Sequence, residues 1–328
     1  MIMYRILEFL RQEKGFISGE EIGKRLDISR AAVWKGIKKL REEGYVIEAV
    51  TNKGYRLILH DTMYNEKEIA QGLATKKLGY PVYFFKETDT TNGRLRDIAA
   101  GGETEGAIAV AEKMTAGRGR RGRPWEAPAG SGIWMSILLR PNIFPSQASV
   151  LTLLAGLAVC QSIEEETGLT PSIKWPNDIM LNGKKLVGIL TEMECEMQQT
   201  HFVVVGIGIN VNTTEFPEGL MDVATSLYLE GGRTFSRKNI LQRVLLNFEK
   251  LYMELLDSHC SFAPFLDRYK EKCSTIHQEV KVLGKETFFA QAVDITPEGE
   301  LVVSRKDNGK KEVVFSGEVS IRGGKTSE

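Results

Sequence analysis

The chain is poor in the residue patterns that would make its chemistry metallic or extracellular. Its four cysteines, Cys160, Cys195, Cys260 and Cys273, form no CxxC pair, and its four histidines show no HExxH or other ligand spacing. A metal or disulfide scaffold is thereby excluded as an expectation, and a reducing cytoplasm fits. Net charge is also missing, with 43 Lys+Arg against 43 Asp+Glu. There is no low-complexity tract and no Pro/Ser linker. No secretory leader is expected, because Arg5 and Glu8 interrupt the first apolar run. One stretch, 141–163, carries no charge. It contains Pro145, Ser146, Gln147, Ser149, Thr152 and Gln161, and its dense apolar part is only about half a membrane span. A buried core helix is expected there, not a membrane segment. At 328 residues the chain has room for two or three domains.

What is present begins with a basic N-terminal segment. Residues 1–60 hold 12 Lys+Arg against 8 Asp+Glu. "MYRILEFLRQEKG" places Ile6, Phe9 and Leu10 on one helical face. Ser18, with Glu21 three residues on, opens a second helix as a capping box. Ser29 caps a third, whose buried stripe is Val33, Ile37 and Leu40. Ala31, Lys35 and Lys38 fall on the opposite face, and Gly44 stops the helix. Two β-prone runs then flank Asn52-Lys53-Gly54. Helix, helix, turn, helix, hairpin is the order of a winged helix-turn-helix. The third helix is the recognition element, with Arg30, Ala31, Lys35, Lys38 and the wing residue Lys53 as DNA-contacting candidates. Trp34 on that helix is either core or a buttress of the DNA-facing side; the pattern leaves both open.

Residues 61–66 read as a connector, and residues 67–270 alternate strands and helices. Strands are expected in "PVYFFKET", "GAIAVAEK", "GIWMSILLR", "PSIKWP", "KLVGILTEME" and "HFVVVGIGIN". Helices are expected in "ASVLTLLAGLAVCQSIEEETG" and "SRKNILQRVLLNFEKLYMELL", the first apolar nearly all round and therefore central. From about residue 278, short strands with turns at "TPEG" and "DNG" predict a small β-barrel.

Two motifs inside the middle region carry chemistry. "GRGRRGRPW", 117–125, sets Arg118, Arg120, Arg121 and Arg123 among Gly117, Gly119 and Gly122. Guanidinium forks suit phosphate and carboxylate. The glycines permit close approach to a ligand and positive φ. Trp125 can cover a flat ring. The loop lies between two expected strands, which argues against a nucleic-acid tail. It lacks the Gly-Lys-Ser/Thr ending of a Walker A loop, so it handles phosphate in another way. "KWPNDIMLNGKKLVGIL", 174–190, gathers Lys174, Asn177, Asp178 and Lys185 about a hairpin that turns at Asn182-Gly183-Lys184. Lys185 opens an apolar strand, where a partly desolvated ammonium can stabilise a carboxylate or oxyanion. Lys184 reads as an ordinary surface lysine. "GIGINVN", 206–212, fails the dinucleotide fingerprint because residue 211 is Val, and reads instead as a buried strand ending at Asn210.

"TTN" (90–92), "GRGRRGRPW", "KWPND", "KLVGIL" and "GIGIN", in this order and spacing, resemble the biotin–protein ligases over essentially the whole chain. With the N-terminal helix-turn-helix, the chain is similar to the bifunctional kind, biotin ligase and biotin-operon repressor together. The resemblance implies an α+β protein with three domains: a winged helix-turn-helix at 1–62, a class II synthetase-like α/β catalytic domain with a mixed sheet at 67–272, and an SH3-like β-barrel at 276–324. It implies that biotin and Mg²⁺·ATP form biotinyl-5′-AMP, and that biotin then passes to a lysine of the biotin carboxyl carrier protein of acetyl-CoA carboxylase. It further implies a ligand-promoted homodimer on operator DNA of biotin genes, with no membrane role. Thr90, Thr91, Asn92, residue 114, Gly117 and Arg118 would meet biotin, and Lys185 would hold the reacting oxygens. Arg120, Arg121, Arg123, Trp125, Lys174, Asn177 and Asn210 would meet ATP or the adenylate. Asp178 would assist Mg²⁺ and phosphate, and catalysis would rest on Lys185, Arg118 and Asp178. The alternatives are a biotin-sensing repressor with weakened or lost ligation, a lipoate ligase-like enzyme and a plain DNA-binding regulator. The intact charged positions, KWPND and the 174–210 motifs count against them in turn.

The chain departs from the family pattern twice. Thr90-Thr91-Asn92 stands for the usual Ser-Thr-Asn. Met114 stands three residues before the loop's first glycine, where the family carries a biotin-contacting Gln. A thioether cannot replace an amide's donor and acceptor. The expected consequence is a higher KM for biotin in this protein than in its Met114→Gln variant; equal KM values in steady-state assays would refute it.

Overall fold

The computed structural model describes residues 2–13, 15–58, 64–196, 199–283, 286–315 and 320–323. It divides into two compact units, Met1–Met63 and Tyr64–Glu328.

The first unit contains α1 (Ile2–Gln12), α2 (Gly19–Leu26), α3 (Arg30–Glu42) and a hairpin of β1 (Ile47–Val50) and β2 (Gly54–Leu57). Its helix α1 buries Met3, Ile6, Leu7 and Leu10, an i, i+3, i+4, i+7 set. Phe9, expected on that face, is only half-buried and lies under the Arg25 guanidinium. Ser18 caps α2 through the Glu21 amide, but the Glu21 carboxylate turns to Arg25 at 2.8 Å, so the reciprocal half of the capping box gives way to an i,i+4 ion pair. Ser29 caps α3 as expected, and Val33, Gly36, Ile37 and Leu40 are its buried residues. A Cβ on Gly36 would stand 2.4 Å from Ile6 Cδ1, which is why α1 and α3 pack closely. Ile17 bridges to Tyr55 as a short third strand beside the hairpin.

The second unit follows the sequence α4 (Glu66–Ala70), β3 (Val82–Phe85), α5 (Thr91–Ala100), β4 (Ile108–Ala111), β5 (Gly132–Leu139), α6 (Ala148–Thr167), β6 (Ser172–Lys174), β7 (Asp178–Leu181), β8 (Lys184–Glu196), β9 (Gln199–Asn210), α7 (Leu227–Gly231), α8 (Arg237–Asp257) and α9 (Leu266–Lys272). It then continues through β10 (Glu279–Leu283), β11 (Thr287–Ile295), β12 (Leu301–Arg305), β13 (Lys311–Val314) and β14 (Ser320–Gly323). Residues 64–66, read from the sequence as connector, belong here: Tyr64 is buried and Asn65 caps α4. Leu59 and residues 61–63 of the expected hairpin and connector, and 316–319 of the last expected strand, lie outside the described residues.

Strands β3 to β9 form one seven-stranded mixed sheet, ordered β3-β4-β5-β9-β8-β7-β6, in which only β3 and β4 run parallel. The uncharged segment is α6, buried along most of its length, with Gly168 in the left-handed conformation ending it. It is a core helix, packed with α8 against the sheet. The last five strands make an antiparallel sheet, β13-β12-β11-β10-β14. Its apolar residues join the same core as the central sheet, so the two expected domains form one compact unit. Trp175 ties them: its Nε1 donates to Gly299 O at 3.0 Å and its backbone N–H to Thr275 Oγ1 at 2.9 Å.

Glu249 on α8 fixes the turn that leads into β3. Its buried carboxylate accepts from the backbone N–H groups of Lys76, Lys77 and Leu78 at 2.6–2.8 Å. Glu249→Leu strands these donors and should cost about 3 kcal/mol, read as a lower urea midpoint; an unchanged midpoint would show the anchor to be dispensable.

Candidate active site

A cleft of about 470 Å³ opens on one face of the central sheet. Strand alternation supplies its floor. Ile133, Met135 and Ile137 of β5, Val187 and Ile189 of β8, and Ile207 and Ile209 of β9 point into the core. The alternate positions are Trp134 and Ser136, then Gly188, Leu190 and Glu192, then Gly206, Gly208 and Asn210. Gly188 and Gly208 are direct cross-strand partners, and Gly206 pairs with Leu190.

These glycines make room for side chains. A Cβ on Gly188 or Gly208 would stand 2.9 Å and 2.7 Å from the Trp125 indole, and one on Gly206 would stand 2.2 Å from Asn92 Oδ1. Trp125 lies over bare backbone, edge-on to Trp134 at 6.4 Å. Its Nε1 is buried without a hydrogen-bond partner among the described residues. The Lys185 ammonium lies 5.3 Å from its ring centroid.

Simple alternation would put Lys185 and Gly188 on opposite faces. A bulge corrects this: Ile179 pairs with Val187 but Met180 pairs with Lys185, leaving Leu186 without a partner. The extra residue turns Lys185 onto the cleft face beside Asp178. The ammonium is 2.7 Å from Asp178 Oδ1. The backbone of Lys185 exchanges hydrogen bonds with Val223 and Thr225, so the segment running through 216–224 walls this side of the cleft.

The arginine–glycine loop is a narrow excursion closed at its neck. Trp125 N–H donates to Gly117 O at 2.9 Å and Gly119 N–H to Arg123 O at 2.7 Å. Of the three glycines only Gly122 takes a positive φ, 70°; Arg121 takes the other, at 58°. Gly117 is small for a different reason: a Cβ there would stand 2.4 Å from Trp125 O. Arg120 turns inward and donates to Asn177 Oδ1 at 3.1 Å. Burial lowers its pKa, the Asp178 charge opposes this, and the Arg121 and Arg123 charges add to the lowering. Arg118 turns the other way, to Glu192 at 3.1 Å.

The TTN segment is the start of a helix that the sequence reading missed. Thr90 Oγ1 caps α5 by accepting from Gly93 N–H at 3.0 Å. Asn92 Nδ2 donates to Leu190 O and Glu192 Oε2, and its Oδ1 accepts from Ser136 Oγ at 2.6 Å. Its amide is committed to the protein, which makes it a residue that positions its neighbours. Thr91 lies between Ser136 and the Met114 sulfur, 3.8 Å away.

The cleft thus gathers every residue expected to meet biotin or ATP except Gly117, which stands at the loop neck. Lys184 lies outside and donates to Met221 O. Glu192 and Ser136 were not foreseen; an acidic residue within the apolar β8 run was the available signal for Glu192. Cations outnumber carboxylates on the lining, with Arg118, Arg120, Arg121, Arg123, Lys174 and Lys185 against Glu126, Asp178 and Asp222. Such a site suits a small polyanion with a flat ring. In the first unit, Arg30, Ala31, Lys35 and Lys38 are exposed on α3, and Lys53 is exposed at the hairpin turn. Gly208→Val should push the indole off the sheet, read as altered tryptophan emission with the fold retained by circular dichroism; unchanged emission would mean that the glycine floor does not seat Trp125.

Comparisons with known proteins identify the family of the chain. A model described as the biotin/lipoate A/B protein ligase family matches residues 83–210, an HTH domain model matches 3–56, and a biotin protein ligase C-terminal domain model matches 275–322. The chain is 41% identical over 309 residues to the bifunctional ligase/repressor BirA of Bacillus subtilis, covering 93% of this chain and 94% of that protein. It is 31% identical to that of Escherichia coli, covering 94% and 93%. Among solved structures, a biotin protein ligase from Aquifex aeolicus in complex with biotin and ATP matches at 33% identity with TM-score 0.66, covering 74% of this chain and 98% of that one. The chain therefore belongs to the biotin protein ligases, in the bifunctional form that joins a ligase to a helix-turn-helix repressor.

Proposed function

We propose that the cleft activates biotin with ATP and then transfers it to a lysine of a biotin carboxyl carrier protein. In the first step a biotin carboxylate oxygen attacks the α-phosphorus of ATP, forming biotinyl-5′-AMP and expelling pyrophosphate. In the second, the acceptor amine attacks the acyl carbon and AMP leaves. The observation that carries this reading is the Lys185–Asp178 pair beside Trp125, facing the arginine loop across the cleft. Both steps bring negative charge together at one point, where preorganised cations act most strongly.

Lys185, held by the bulge and by Asp178, is assigned to the reacting carboxylate and phosphate oxygens. Arg118 is assigned to the biotin carboxylate side, with Thr90, Thr91, Asn92, Met114 and Gly117 about the head group. Arg120, Arg121, Arg123 and Lys174 balance the phosphates. Trp125, with its unpartnered Nε1, and Asn177 and Asn210 receive the adenylate. Magnesium would arrive on the nucleotide. No cluster of three or more His, Cys, Asp or Glu suited to a metal occurs among the described residues. Asp178, ion-paired to Lys185 through Oδ1 at 2.7 Å, is the carboxylate on the cleft lining that would face it, and one carboxylate plus phosphate oxygens is an ordinary magnesium set. Its chemistry there would be to neutralise phosphate charge.

The N-terminal unit is assigned to operator DNA of biotin genes, bound as a homodimer promoted by biotinyl-AMP, in the cytoplasm. The arginine–glycine loop, closed at its neck by two backbone hydrogen bonds and tied to the cleft through Arg118–Glu192 and Arg120–Asn177, is assigned to cover the labile anhydride.

Biotin-dependent exchange of pyrophosphate into ATP is expected in the full chain, with a loss of at least about a hundredfold in Lys185→Ala. Exchange independent of biotin would refute the reading. Removing residues 1–62 should abolish operator binding and largely spare ligation, and loss of both together would contradict independent units.

A further inference from the structure

The side of α3 on which Trp34 lies was left open by the sequence and is decided by the structure. The helix buries Val33, Gly36, Ile37 and Leu40. Trp34 points away from them and is 56% exposed. Arg30, Trp34 and Lys38 follow one another at i, i+4 and i+8, and Ala31 and Lys35 form the adjoining row. Trp34 therefore stands in the middle of the exposed basic stripe. The Lys38 ammonium lies 5.9 Å from its ring centroid and also faces Glu42 at 4.0 Å. Neither contact covers the ring, and both partners are themselves exposed.

A large apolar ring in that position needs a ligand with both negative charge and an apolar edge. Duplex DNA has both. Phosphates answer Arg30, Lys35 and Lys38, and the apolar feature that the major groove offers is the thymine C5-methyl group. Ala31, one turn before Lys35, leaves the row next to the indole low enough for close approach.

We propose that Trp34 is a base-reading residue of the repressor, packing its indole on a thymine methyl in each half-site, while Arg30, Lys35 and Lys38 hold the backbone. The proposal rests on the assignment of the N-terminal unit to operator DNA. It goes beyond that assignment by naming the specificity-determining side chain and the base it reads.

The test uses the full chain with biotin and ATP, and a library of random 40-base-pair duplexes taken through rounds of selection. The wild type should enrich a two-fold symmetric sequence with a required T·A pair in each half. Trp34→Ala should enrich the same sequence with that pair relaxed. Binding is then measured on the enriched duplex and on a copy carrying deoxyuridine, which lacks the methyl, at that position. The wild type should lose about fivefold or more on deoxyuridine, and Trp34→Ala should bind both duplexes equally. Trp34→Phe, which keeps an apolar ring, should retain part of the discrimination. Biotin-dependent pyrophosphate exchange should be unchanged in both variants, since Trp34 lies in the other unit.

Equal deoxyuridine penalties in wild type and Trp34→Ala would overturn the proposal. So would a uniform loss of affinity on all sequences, which would make Trp34 a support for backbone binding. If the wild type enriches no sequence, the repressor assignment itself fails, and this proposal fails with it.

Discussion

The removal of side chains from one face of a β-sheet is the constraint on which the rest of the site depends. Gly188, Gly206 and Gly208 leave bare backbone where alternation would otherwise put three side chains. Trp125 and Asn92 fill that space from loops and helices distant in sequence. Because Trp125 is seated there, the neck of the arginine–glycine loop is fixed to Gly117, and the arginines project from a defined place. Because Asn92 is seated there, Glu192 and Ser136 are joined to the start of α5, and Arg118 acquires its partner. A Cβ at Gly188 or Gly208 would displace Trp125, and one at Gly206 would displace Asn92.

The neutrality of the chain hides a division of labour. One basic surface lies on α3 and the wing, where exposed cations surround an exposed ring. The other lies in the cleft, where cations of the arginine loop and of β6 and β8 face few carboxylates. The first is open and long, suited to a duplex. The second is concave and built on rigid strands, suited to one small anionic ligand with an aromatic base. A neutral total says nothing about either, since charge acts over about 8–10 Å in salt.

Local pattern made much of this legible. The two long helices were read from their apolar runs, and α6 and α8 occur where expected. The strand ending at Asn210 and the turns at Gly299 and Gly309 were likewise readable. The helix α5 was missed because it buries little, only Leu95 and Ala99 among its apolar residues, and carries Gly93, Arg94, Arg96 and Asp97. Phe9 was placed in the core because it fits the period, but Leu7 fits it equally well, and only packing against α3 separates them. The cleft's residue list was legible from motifs, yet the work of individual members was not. Thr90 caps a helix, and Asn92 holds its neighbours in place. Gly117 and Gly119 stay out of the positive-φ region, and the smallness of Gly117 serves contact with Trp125 O and not conformation.

The sequence by itself determined the elements with strong periodicity, the capping of α2 and α3, the order of the modules and the chemical character of the two basic segments. All of these depend on neighbours within a few residues along the chain. The tertiary structure alone decided which face Trp34 takes, what the sheet glycines accommodate, and that Lys185 reaches the cleft face through a bulge opposite Met180. It also decided that Glu192 joins Asn92 to Arg118. Each of these depends on atoms that are close in space and, for Glu192, a hundred residues apart in the chain. Residue type limits what a side chain can do chemically; the packing of distant strands determines which partner it meets.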